Sequence, residues 1–555
     1  MGAPVTIAKD MTVRQIRGDH ETVTDVLRAA ARTNAEVEAF VEPARPTGEG
    51  RDPSSRLVAA GADGRRRLTF AGWDALADRV AALLAAEGVG RGDVVGLVVP
   101  SSIDYGLCYQ AAARLGAVTT GVNLRLGPAE VASIVARAHP TVTVVDVDAV
   151  EPDVRARLGD RVVARTDLGS GPDAAPARPR LDPADPVAIV WTSGSTGVPK
   201  GAVFDHRALA AVAAGTDVLS QPGDRRLSPL PFAHVGFMTR PWDEIAHGVS
   251  TVITPQPWSA GDAIGLMASE RVTVGQGVPT QWALVLRHPD LDAADLSPLR
   301  IAGTGAARVP PELVREMRER LGCPVVVRYT STEASLGTGT VPSDPDEVVA
   351  TTVGRPVPGV ELAVVGTDGR ALPPGEIGRV RLRSGAVMRG YVGDCAGGVV
   401  IDAASSAEAL DAAGWVTTGD LGSVGEDGNL RLAGRVTEMY IRGGYNVYPA
   451  EVEAALGTNP AVAAAAVVGA PDPVLGEIGV AYVVAAGADD PPTLEALRAW
   501  CGARLADYKA PDRVAIVDEL PLTAMGKVDK RALGALAAAP GADSTPRPAT
   551  TKVER

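Results

Sequence analysis

The fold class that this sequence of 555 residues predicts is α/β, with a large N-terminal domain of several subdomains and a small α+β C-terminal domain. Three observations predict it. The chain is too long for a single hydrophobic core. Short apolar runs alternate with helix-like segments over most of its length, as in mixed α/β sheets with covered faces. After about residue 355, closely spaced strands with Gly/Pro turns replace that alternation.

The predicted elements of the large domain are two mixed α/β sheets followed by a small β-barrel-like subdomain. Five apolar runs are typical of buried strands, and they span 94–99, 142–147, 187–192, 249–254 and 324–329. Helix-like segments lie between them, for example at 206–220 and 310–322. The barrel-like subdomain is predicted from the strands and turns of 360–384 and from a hairpin over 420–435.

A second α/β unit follows, with strands predicted at 462–469, 480–486 and 513–520 and a helix at 493–508. The last segment is rich in Ala, Pro, Gly, Ser and Thr and predicts disorder. The predicted boundaries are a partly ordered N-terminal extension over 1–54, the large domain over 55–435, the small domain over 436–538 and a disordered tail over 539–555.

Composition excludes several classes of function. The formal net charge is -13 and no basic run is present, which argues against nucleic-acid binding. The four cysteines are far apart and form neither a metal-ligand array nor a disulfide framework. The first residues lack the apolar segment of a signal peptide, and no apolar stretch approaches the ~20 residues that span a bilayer. We therefore expect a soluble, cytoplasmic protein.

The most informative string, VWTSGSTGVPKG, runs from Val190 to Gly201 between a predicted strand and a helix-like segment. Its glycines allow the backbone to turn successive N–H groups toward an anion. Its hydroxyl groups add donors and its lysine adds positive charge. This combination favours a polyphosphate site over an ordinary polar turn, with candidate residues Thr192, Ser193, Gly194, Ser195, Thr196, Gly197 and Lys200.

The string is not a Walker P-loop, because Pro199 precedes Lys200 and Gly201 follows it. It closely resembles the phosphate signature of the adenylate-forming (ANL) superfamily, which includes acyl-CoA synthetases, adenylation domains of peptide synthetases and beetle luciferases. Further segments resemble motifs of that superfamily in the same order, namely PLPFAHVGF (229–237), IAGTGAARVP (301–310), YTSTE (329–333), TGD (418–420), GR (434–435) with RGGYNVYPAE (442–451), and PLTAMGK (521–527).

The resemblance implies an acyl-CoA synthetase that works in two steps. A carboxylate attacks the α-phosphate of ATP and releases pyrophosphate, and the acyl-adenylate then transfers its acyl group to coenzyme A. The implied cofactors are ATP, Mg²⁺ and coenzyme A, with Glu333 as the metal ligand. Catalysis between two anions rests on alignment and charge neutralisation. The implied roles are Lys527 and Thr332 at the α-phosphate, and Gly305, Ala306, Ala307, Tyr329, Asp420 and Arg435 at the rest of the nucleotide.

The acid itself is less well defined by the sequence. The candidate pocket residues, by their positions in the resembling segments, are Phe232, His234, Gly277, Trp282, Gly303 and Ser335, and His234 is also a candidate catalytic gate. Glycines recur on this wall and aromatic residues make up only 4% of the chain. We expect a bulky or extended apolar acid rather than a small one.

The thiol step is implied by the segment around Gly443, Gly444 and Tyr445, which lines the pantetheine tunnel in the superfamily. The small domain of the superfamily is mobile and turns about a hinge just beyond the Gly-Arg pair. Two residues depart from the usual pattern. Thr330 replaces a glycine of the YGxTE motif, and Thr437 occupies the hinge position that usually holds Asp or Lys. The second departure makes efficient thiolation an open question.

Other functions, and ordinary structural roles for the same residues, can be distinguished by features of the sequence. Alone, Asp420 would indicate an Asx-turn and Lys527 a solvated lysine, but the ordered set of motifs favours catalysis. An amino-acid adenylation domain would carry an acid in the 229–242 segment, and none is present before Asp243. A luciferase has no feature in its favour, and a non-catalytic nucleotide sensor would be expected to lose Lys527 or Asp420. The expected partner is a small carboxylic acid, while a homodimer, an acyl carrier and another acyl acceptor remain alternatives.

Overall fold

The structure is a computed structural model that describes residues 13–16, 18–43, 55–159, 161–172, 176–192, 199–216, 218–306, 309–443, 445–487, 491–523 and 527–538. The chain forms two compact units. The first combines Met1–Ala363 with Arg381–Thr418, and the second combines Val364–Val380 with Gly419–Arg555. The predicted tail over 539–555 lies outside the described residues.

The strands of the described residues follow in chain order: β1 (Glu38–Pro43), β2 (Arg65–Thr69), β3 (Val94–Val98), β4 (Val118–Gly121), β5 (Val142–Val145), β6 (Val162–Ala164), β7 (Pro186–Thr192), β8 (Lys200–Asp205), β9 (Arg225–Ser228), β10 (Ser250–Ile253), β11 (Val274–Gly277), β12 (Ile301–Gly305), β13 (Val325–Tyr329), β14 (Thr338–Gly339), β15 (Arg355–Pro356), β16 (Glu361–Val365), β17 (Gly378–Arg383), β18 (Gly390–Val392), β19 (Ile401–Asp402), β20 (Trp415–Val424), β21 (Leu430–Arg435), β22 (Tyr440–Arg442), β23 (Tyr445–Val447), β24 (Val462–Asp472), β25 (Gly476–Ala485) and β26 (Arg513–Ile516).

The α-helices of the same ranges are α1 (Val23–Thr33), α2 (Phe70–Ala86), α3 (Ile103–Arg114), α4 (Pro128–Ala138), α5 (Pro152–Arg155), α6 (His206–Ala214), α7 (Val235–Met238), α8 (Pro241–Ala246), α9 (Ala260–Ser269), α10 (Pro279–Arg287), α11 (Pro311–Leu321), α12 (Asp346–Thr351), α13 (Ala403–Ala407), α14 (Pro449–Gly457), α15 (Leu494–Gly502) and α16 (Lys530–Ala538). None of these helices is both long and apolar enough to cross a lipid bilayer.

The first unit contains two mixed sheets, as the sequence predicts. In its described residues, one sheet has the strand order β15-β14-β13-β12-β11-β9-β10-β1-β2, and the other has the order β19-β18-β8-β7-β4-β3-β5-β6. The inner strands pair in parallel, while β8 pairs antiparallel with both β7 and β18. All five apolar runs predicted as buried strands form strands, namely β3, β5, β7, β10 and β13.

Helix α3 lies at the centre of the hydrophobic core of the first unit, and every one of its residues is buried. It begins at the cap residue Ser102, whose hydroxyl accepts a hydrogen bond from the Tyr105 backbone N–H at 3.3 Å. Trp73 of α2 reaches the same helix and donates its indole N–H to the Gly106 carbonyl at 3.0 Å. This packing holds α2 and α3 in one rigid layer beside the sheet.

The segment before residue 55 contributes more to the fold than an extension would. Strand β1 is an inner strand of the larger sheet, paired in parallel with β10 and antiparallel with β2. Helix α1 is capped by Thr22 and packs its apolar face into the core. Strand β1 is hard to predict from the sequence, because the run EAFVEP is short and does not alternate.

The second unit contains the hairpin of β20 and β21 and a sheet with the order β23-β22-β25-β24 in the described residues, in which β26 pairs with β25 in parallel. The predicted hairpin turn is present, since the Gly425 N–H donates to the Asn429 carbonyl at 3.0 Å. The sequence placed a domain boundary after Arg435, whereas the compact units divide at Thr418 and Gly419. The hairpin that carries Asp420 and Arg435 therefore belongs to the second unit.

Candidate functional site

The candidate phosphate loop connects two strands that are paired with each other. Strands β7 and β8 run antiparallel, and their register brings Thr192 opposite Lys200 at the loop end. The Thr192 hydroxyl donates to the Lys200 carbonyl at 3.4 Å. The predicted residues Ser193, Gly194, Ser195, Thr196 and Gly197 lie outside the described residues. The strands therefore fix both ends of the loop, and they place the lysine at one of those ends.

Lys200 and Glu333, which are far apart in the sequence, meet at Tyr391 of β18. The Tyr391 hydroxyl donates to Glu333 Oε1 at 2.9 Å. Lys200 Nζ lies 5.2 Å from the centre of the Tyr391 ring and 3.1 Å from Glu408 Oε2. Burial and the charge of Glu333 raise the pKa of the Tyr391 hydroxyl, so it remains a proton donor at neutral pH.

Tyr391 and Glu408 are the two residues of this cluster that the sequence analysis missed. Tyr391 is the middle residue of β18 (Gly390–Val392), and a strand of three residues is too short to show a hydrophobic periodicity. Glu408 lies just beyond the short helix α13 and is 72% exposed. The one sign available in the sequence was that Tyr391 is an aromatic residue directly after a glycine.

The segment after β13 forms a turn that places Tyr329 and Thr332 next to the strand end. Tyr329 is buried, and its hydroxyl donates to the Thr418 hydroxyl at 3.2 Å. Thr332 is half-buried within the turn. Thr330, which departs from the superfamily pattern, is exposed, and its φ is not positive. Ser335 of the same segment has a positive φ of 57°. The substitution at Thr330 is therefore compatible with ordinary backbone geometry here.

The end of β12 has an unusual backbone at the predicted adenine-side residues. A Cβ atom at Gly305 would lie 2.2 Å from the Arg328 carbonyl oxygen, so only glycine fits against the neighbouring strand. Ala306 takes a left-handed φ of 62°, which is uncommon for alanine. Ala307 lies outside the described residues. Such strain at a strand end is typical of binding sites.

Two of the predicted pocket residues are core side chains in this structure. Phe232 is 1% exposed and stacks on Phe237 with ring centres 3.6 Å apart. Trp282 is 2% exposed and donates its indole N–H to the Gly303 carbonyl at 3.1 Å. Cβ atoms at Gly275 and Gly277 would lie 2.8 and 3.1 Å from the indole. Both glycines therefore make room for Trp282, and the pocket role predicted for Gly277 stays a prediction.

His234 and Ser335 are more accessible than the two aromatic residues. His234 is half-buried at the start of α7, where Nδ1 accepts a hydrogen bond from the Gly236 N–H at 3.2 Å. This contact fixes the ring and makes Nδ1 the acceptor nitrogen. Ser335 is half-buried, and its N–H donates to the Ser331 carbonyl at 3.1 Å. Their pocket roles stay predictions.

The second unit brings together three predicted residues from three separate motifs. Asp420 and Arg435 are register partners in the β20–β21 hairpin, with Arg435 Nε 3.1 Å from Asp420 Oδ1. Lys527 lies within the electrostatic range of both. Burial and the Arg435 charge lower the pKa of Lys527, while Asp420 opposes them. The backbone N–H of Lys527 donates to the Thr523 hydroxyl at 3.3 Å.

The predicted thiol-channel segment forms the tight β22–β23 hairpin of the same unit. Gly443 takes a φ of 57°, and its N–H donates to the Leu475 carbonyl at 2.8 Å. Tyr445 is 59% exposed and stacks on Tyr508, with ring centres 4.6 Å apart. Gly444 lies outside the described residues. An exposed aromatic pair beside a side-chain-free backbone is suited to contact with a narrow ligand.

The predicted hinge residue, Thr437, is exposed in a turn within the second unit. The Glu438 N–H next to it donates to the Arg435 carbonyl at 3.1 Å. Lys530 of α16 pairs with Glu438 at 2.9 Å and with Glu453 at 2.8 Å. The turn is therefore tied to the C-terminal helix by charged side chains, although Thr437 itself faces solvent.

The donor set fits a magnesium ion that is shared with a nucleotide. In the ranges that the structure describes, no group of three or more His, Cys, Asp and Glu side chains is close enough to hold a metal alone. Glu333 offers one carboxylate, of which Oε1 accepts the Tyr391 hydrogen bond. Mg²⁺ is commonly held by one or two carboxylates together with substrate phosphates and water. Glu333, which is linked through Tyr391 to Lys200 at the end of the candidate phosphate loop, is compatible with that requirement.

Comparison with known proteins identifies the family and several relatives of this chain. The sequence profile described as AMP-binding enzyme matches residues 40–392, and the profile of the AMP-binding enzyme C-terminal domain matches residues 451–527. Indoleacetate–CoA ligase of Aromatoleum aromaticum is 35% identical over 485 residues, which cover 84% of this chain and 92% of that protein. Long-chain-fatty-acid–CoA ligase FadD13 of Mycobacterium tuberculosis is 31% identical over 521 residues, which cover 92% and 97%.

A solved structure supports the fold independently. The amide bond synthetase McbA from Marinactinospora thermotolerans matches with a TM-score of 0.79 and 28% sequence identity, covering 93% of this chain and 99% of that one. The two profile matches together include the candidate phosphate loop, the turn with Glu333, Tyr391 and, as the last matched residue, Lys527. The chain therefore belongs to the AMP-binding enzyme family of the adenylate-forming superfamily, as an ATP-dependent, AMP-forming acyl-CoA synthetase.

Proposed function

We propose that this synthetase activates a bulky or extended apolar carboxylic acid, with Lys527, Asp420 and Arg435 acting together at the nucleotide. The observation that carries the proposal is that the Asp420–Arg435 ion pair of the second unit lies within electrostatic range of Lys527, so that residues of three distant motifs act on one another. A carboxylate suits the two ribose hydroxyls of ATP, because it accepts two hydrogen bonds at once. Arg435 orients that carboxylate, and Lys527 supplies the positive charge.

In the adenylation step, the acid carboxylate attacks the α-phosphate and pyrophosphate leaves. Both reactants are anions, so the groups that matter are those that neutralise and align charge. We assign Lys200 and its loop to the β- and γ-phosphates, Thr332 to the α-phosphate and Glu333 to Mg²⁺. When bound, Mg²⁺ neutralises phosphate charge and orients the leaving pyrophosphate. Tyr329 and the backbone of Gly305 and Ala306 are assigned to adenine.

The lowered pKa of Lys527 has a consequence for this step. Burial and Arg435 both destabilise the charged form of Lys527. A nearby anion therefore stabilises this ammonium group more than it would stabilise a fully solvated one. The α-phosphate in the transition state is such an anion. Lys527 is thus suited to respond to the charge that develops during adenylation.

The choice of a bulky or extended apolar acid rests on the surroundings of the predicted pocket and on the relatives. Phe232 and Phe237, which flank His234 in the chain, are buried apolar side chains that stack on each other. Two relatives are named for indoleacetate and for long-chain fatty acids. The test is ATP–pyrophosphate exchange with a panel of aromatic, fatty, small and amino acids, followed by product mass with coenzyme A. Exchange driven best by small acids or by amino acids would contradict the proposal.

One observation favours an alternative function, in which the acyl-adenylate transfers its acyl group to an amine and not to coenzyme A. The structural relative McbA is described as an amide bond synthetase, and it matches nearly the whole chain. Thr437 also departs from the charged residue usual at the hinge. If thiolation is inefficient, acyl-AMP should accumulate in the presence of saturating coenzyme A, and Thr437→Asp should reduce that accumulation. Amine-dependent loss of acyl-AMP without coenzyme A would support the amide alternative.

The cellular setting that we propose is the cytoplasm. The cysteines at 108, 323, 395 and 501 are buried free thiols, and burial raises the pKa of each. Structural thiols of this kind are usual in reducing compartments. A homodimer and an acyl carrier partner stay predictions, which size determination and a pull-down with carrier protein would test.

A further inference from the structure

Tyr391 is the physical link between the two charged residues that the sequence assigned to the polyphosphate and the metal. Its hydroxyl lies 2.9 Å from Glu333 Oε1, and its ring lies 5.2 Å from Lys200 Nζ. The first contact is a charge-assisted hydrogen bond, and the second is a cation–π contact within the usual range of about 6 Å. One side chain therefore touches both an anion and a cation.

The Tyr391 side chain is itself held firmly. Its residue is 7% exposed and lies in β18, paired antiparallel with β8, so that Tyr391 is opposite Ala202. The backbone N–H of Tyr391 donates to the Ser406 hydroxyl at 2.8 Å. Because β8 begins at Lys200, the strand that carries the tyrosine is bonded directly to the strand that carries the lysine. Tyr391 is thus fixed relative to the end of the phosphate loop.

Glu333 has less support of its own. It lies in an irregular turn after β13, is half-buried, and has its carbonyl bonded by the Met388 N–H at 2.8 Å. A carboxylate on such a turn can adopt several side-chain rotamers, and a metal ligand loses affinity when it must be ordered on binding. The hydrogen bond from Tyr391 selects one orientation and leaves Oε2 available to a ligand.

We propose that Tyr391 is a positioning residue that orients the Glu333 carboxylate for Mg²⁺ and shields one side of Lys200, so that metal and polyphosphate are bound in one fixed geometry. This inference rests on the proposed role of Glu333 as the metal ligand. Partners that orient a metal ligand typically change metal affinity by 10–100-fold when they are removed. Tyr391 itself touches neither the nucleotide nor the reacting atoms in this proposal.

The experiment measures metal binding without catalysis. Mn²⁺ is titrated into the full-length protein with the unreactive analogue α,β-methylene-ATP and no acid, and free Mn²⁺ is followed by electron paramagnetic resonance. Tyr391→Phe keeps the ring and removes the hydroxyl, and we expect it to raise the Mn²⁺ dissociation constant about tenfold. Tyr109→Phe is the matched control, because Tyr109 is also buried and donates a 2.8 Å hydrogen bond, to the Met238 carbonyl.

A double-mutant cycle separates this inference from the proposed function. Glu333→Gln should also weaken Mn²⁺, and Tyr391→Phe should add little in the Glu333→Gln background, because both act on one ligand. If Glu333→Gln weakens Mn²⁺ while Tyr391→Phe behaves like Tyr109→Phe, the positioning role is wrong and the metal role of Glu333 stands. If neither variant changes Mn²⁺ affinity, the assignment of Glu333 fails and the inference fails with it.

A second variant tests the contact with Lys200. Tyr391→Leu removes the ring as well as the hydroxyl, so we expect it to weaken α,β-methylene-ATP measured without metal, whereas Tyr391→Phe leaves that affinity unchanged. Equal nucleotide affinity in both variants would overturn the Lys200 part of the proposal. Circular dichroism melting curves identify any variant that fails to fold. If Tyr391→Leu fails to fold, the test rests on Tyr391→Phe, which preserves the packing of the ring.

Discussion

Asp420 and Arg435 face each other across the β20–β21 hairpin, with Arg435 Nε 3.1 Å from Asp420 Oδ1. The pair lies close enough to Lys527 for both charges to act on its ammonium group, in opposite directions. Asp420 is only 13% exposed, whereas Arg435 is 58% exposed. The carboxylate is therefore the member of the pair that the fold holds more firmly, and the arginine orients it from the solvent side.

The first prediction concerns Lys527. Lys527→Ala should lower the adenylation rate by ~10² or more, because it removes positive charge from the transition state. The same variant supplied with synthetic acyl-AMP should still form thioester comparatively well. ATP–pyrophosphate exchange and thioester formation measure the two steps separately. Lys509→Ala is the control, since Lys509 is a half-buried lysine of the same unit that pairs with Glu451. Equal losses in both steps would contradict the assigned role.

The second prediction concerns the pH dependence of adenylation. The step needs protonated Lys527, so its rate falls as pH rises through the pKa of that lysine. Asp420 raises this pKa and Arg435 lowers it. At saturating ATP, Asp420→Asn should therefore move the alkaline limb to lower pH, and Arg435→Gln should move it to higher pH. Shifts in the same direction for both variants would show that the limb belongs to another group.

The third prediction concerns ATP binding at Asp420. Asp420→Ala removes charge-assisted hydrogen bonds of roughly 1.5–3 kcal/mol, so it should raise KM for ATP more than it lowers kcat. Steady-state kinetics at several ATP concentrations give both values. Asp427→Ala is a matched control, because Asp427 pairs with Arg431 at the turn of the same hairpin. If KM and kcat stay unchanged in Asp420→Ala, Asp420 does not belong to the site.

The fourth prediction concerns the ion pair between Lys200 and Glu408. Their atoms are 3.1 Å apart, and Glu408 is 72% exposed, so the pair is weak and sensitive to salt. Glu408→Gln should lower KM for ATP by a few-fold at low ionic strength. In this variant, the ATP phosphates no longer have to displace the Glu408 carboxylate from Lys200. The gain should vanish at high salt. Glu361→Gln, which breaks the exposed pair with Arg383, should leave KM unchanged.

The fifth prediction concerns Trp282 and the choice of acid. Trp282→Phe removes the indole donor from the Gly303 carbonyl and opens space beside Gly277. It should cost about 1–3 kcal/mol of folding stability and shift the preference toward bulkier acids. Trp73→Phe is the control, because Trp73 is equally buried and donates to the Gly106 carbonyl at 3.0 Å. If both variants lose stability and neither changes acid preference, Trp282 is a core residue alone.

Much of the fold was predictable because buried parallel strands are continuous apolar runs. The runs at β3, β5, β7, β10 and β13 were recognised for that reason. The inner strand β1 and the short strand β18 were not, because few residues and no periodicity distinguish them from loops. Helix α15 ends at Gly502, earlier than the predicted 508, since helix ends depend on capping and tertiary contacts.

The sequence by itself determined the family and the candidate site residues, because the predicted phosphate loop, Glu333, Asp420 and Lys527 are recognised from residue type and spacing within local motifs. Tertiary structure alone decided which of these residues meet. The pairing of β8 with β18 brings Tyr391 between Lys200 and Glu333, and the packing of Trp282 gives a structural reason for the glycine at position 277, which the sequence assigned to the pocket. Contacts between distant segments depend on sheet order and side-chain packing, which no local pattern records.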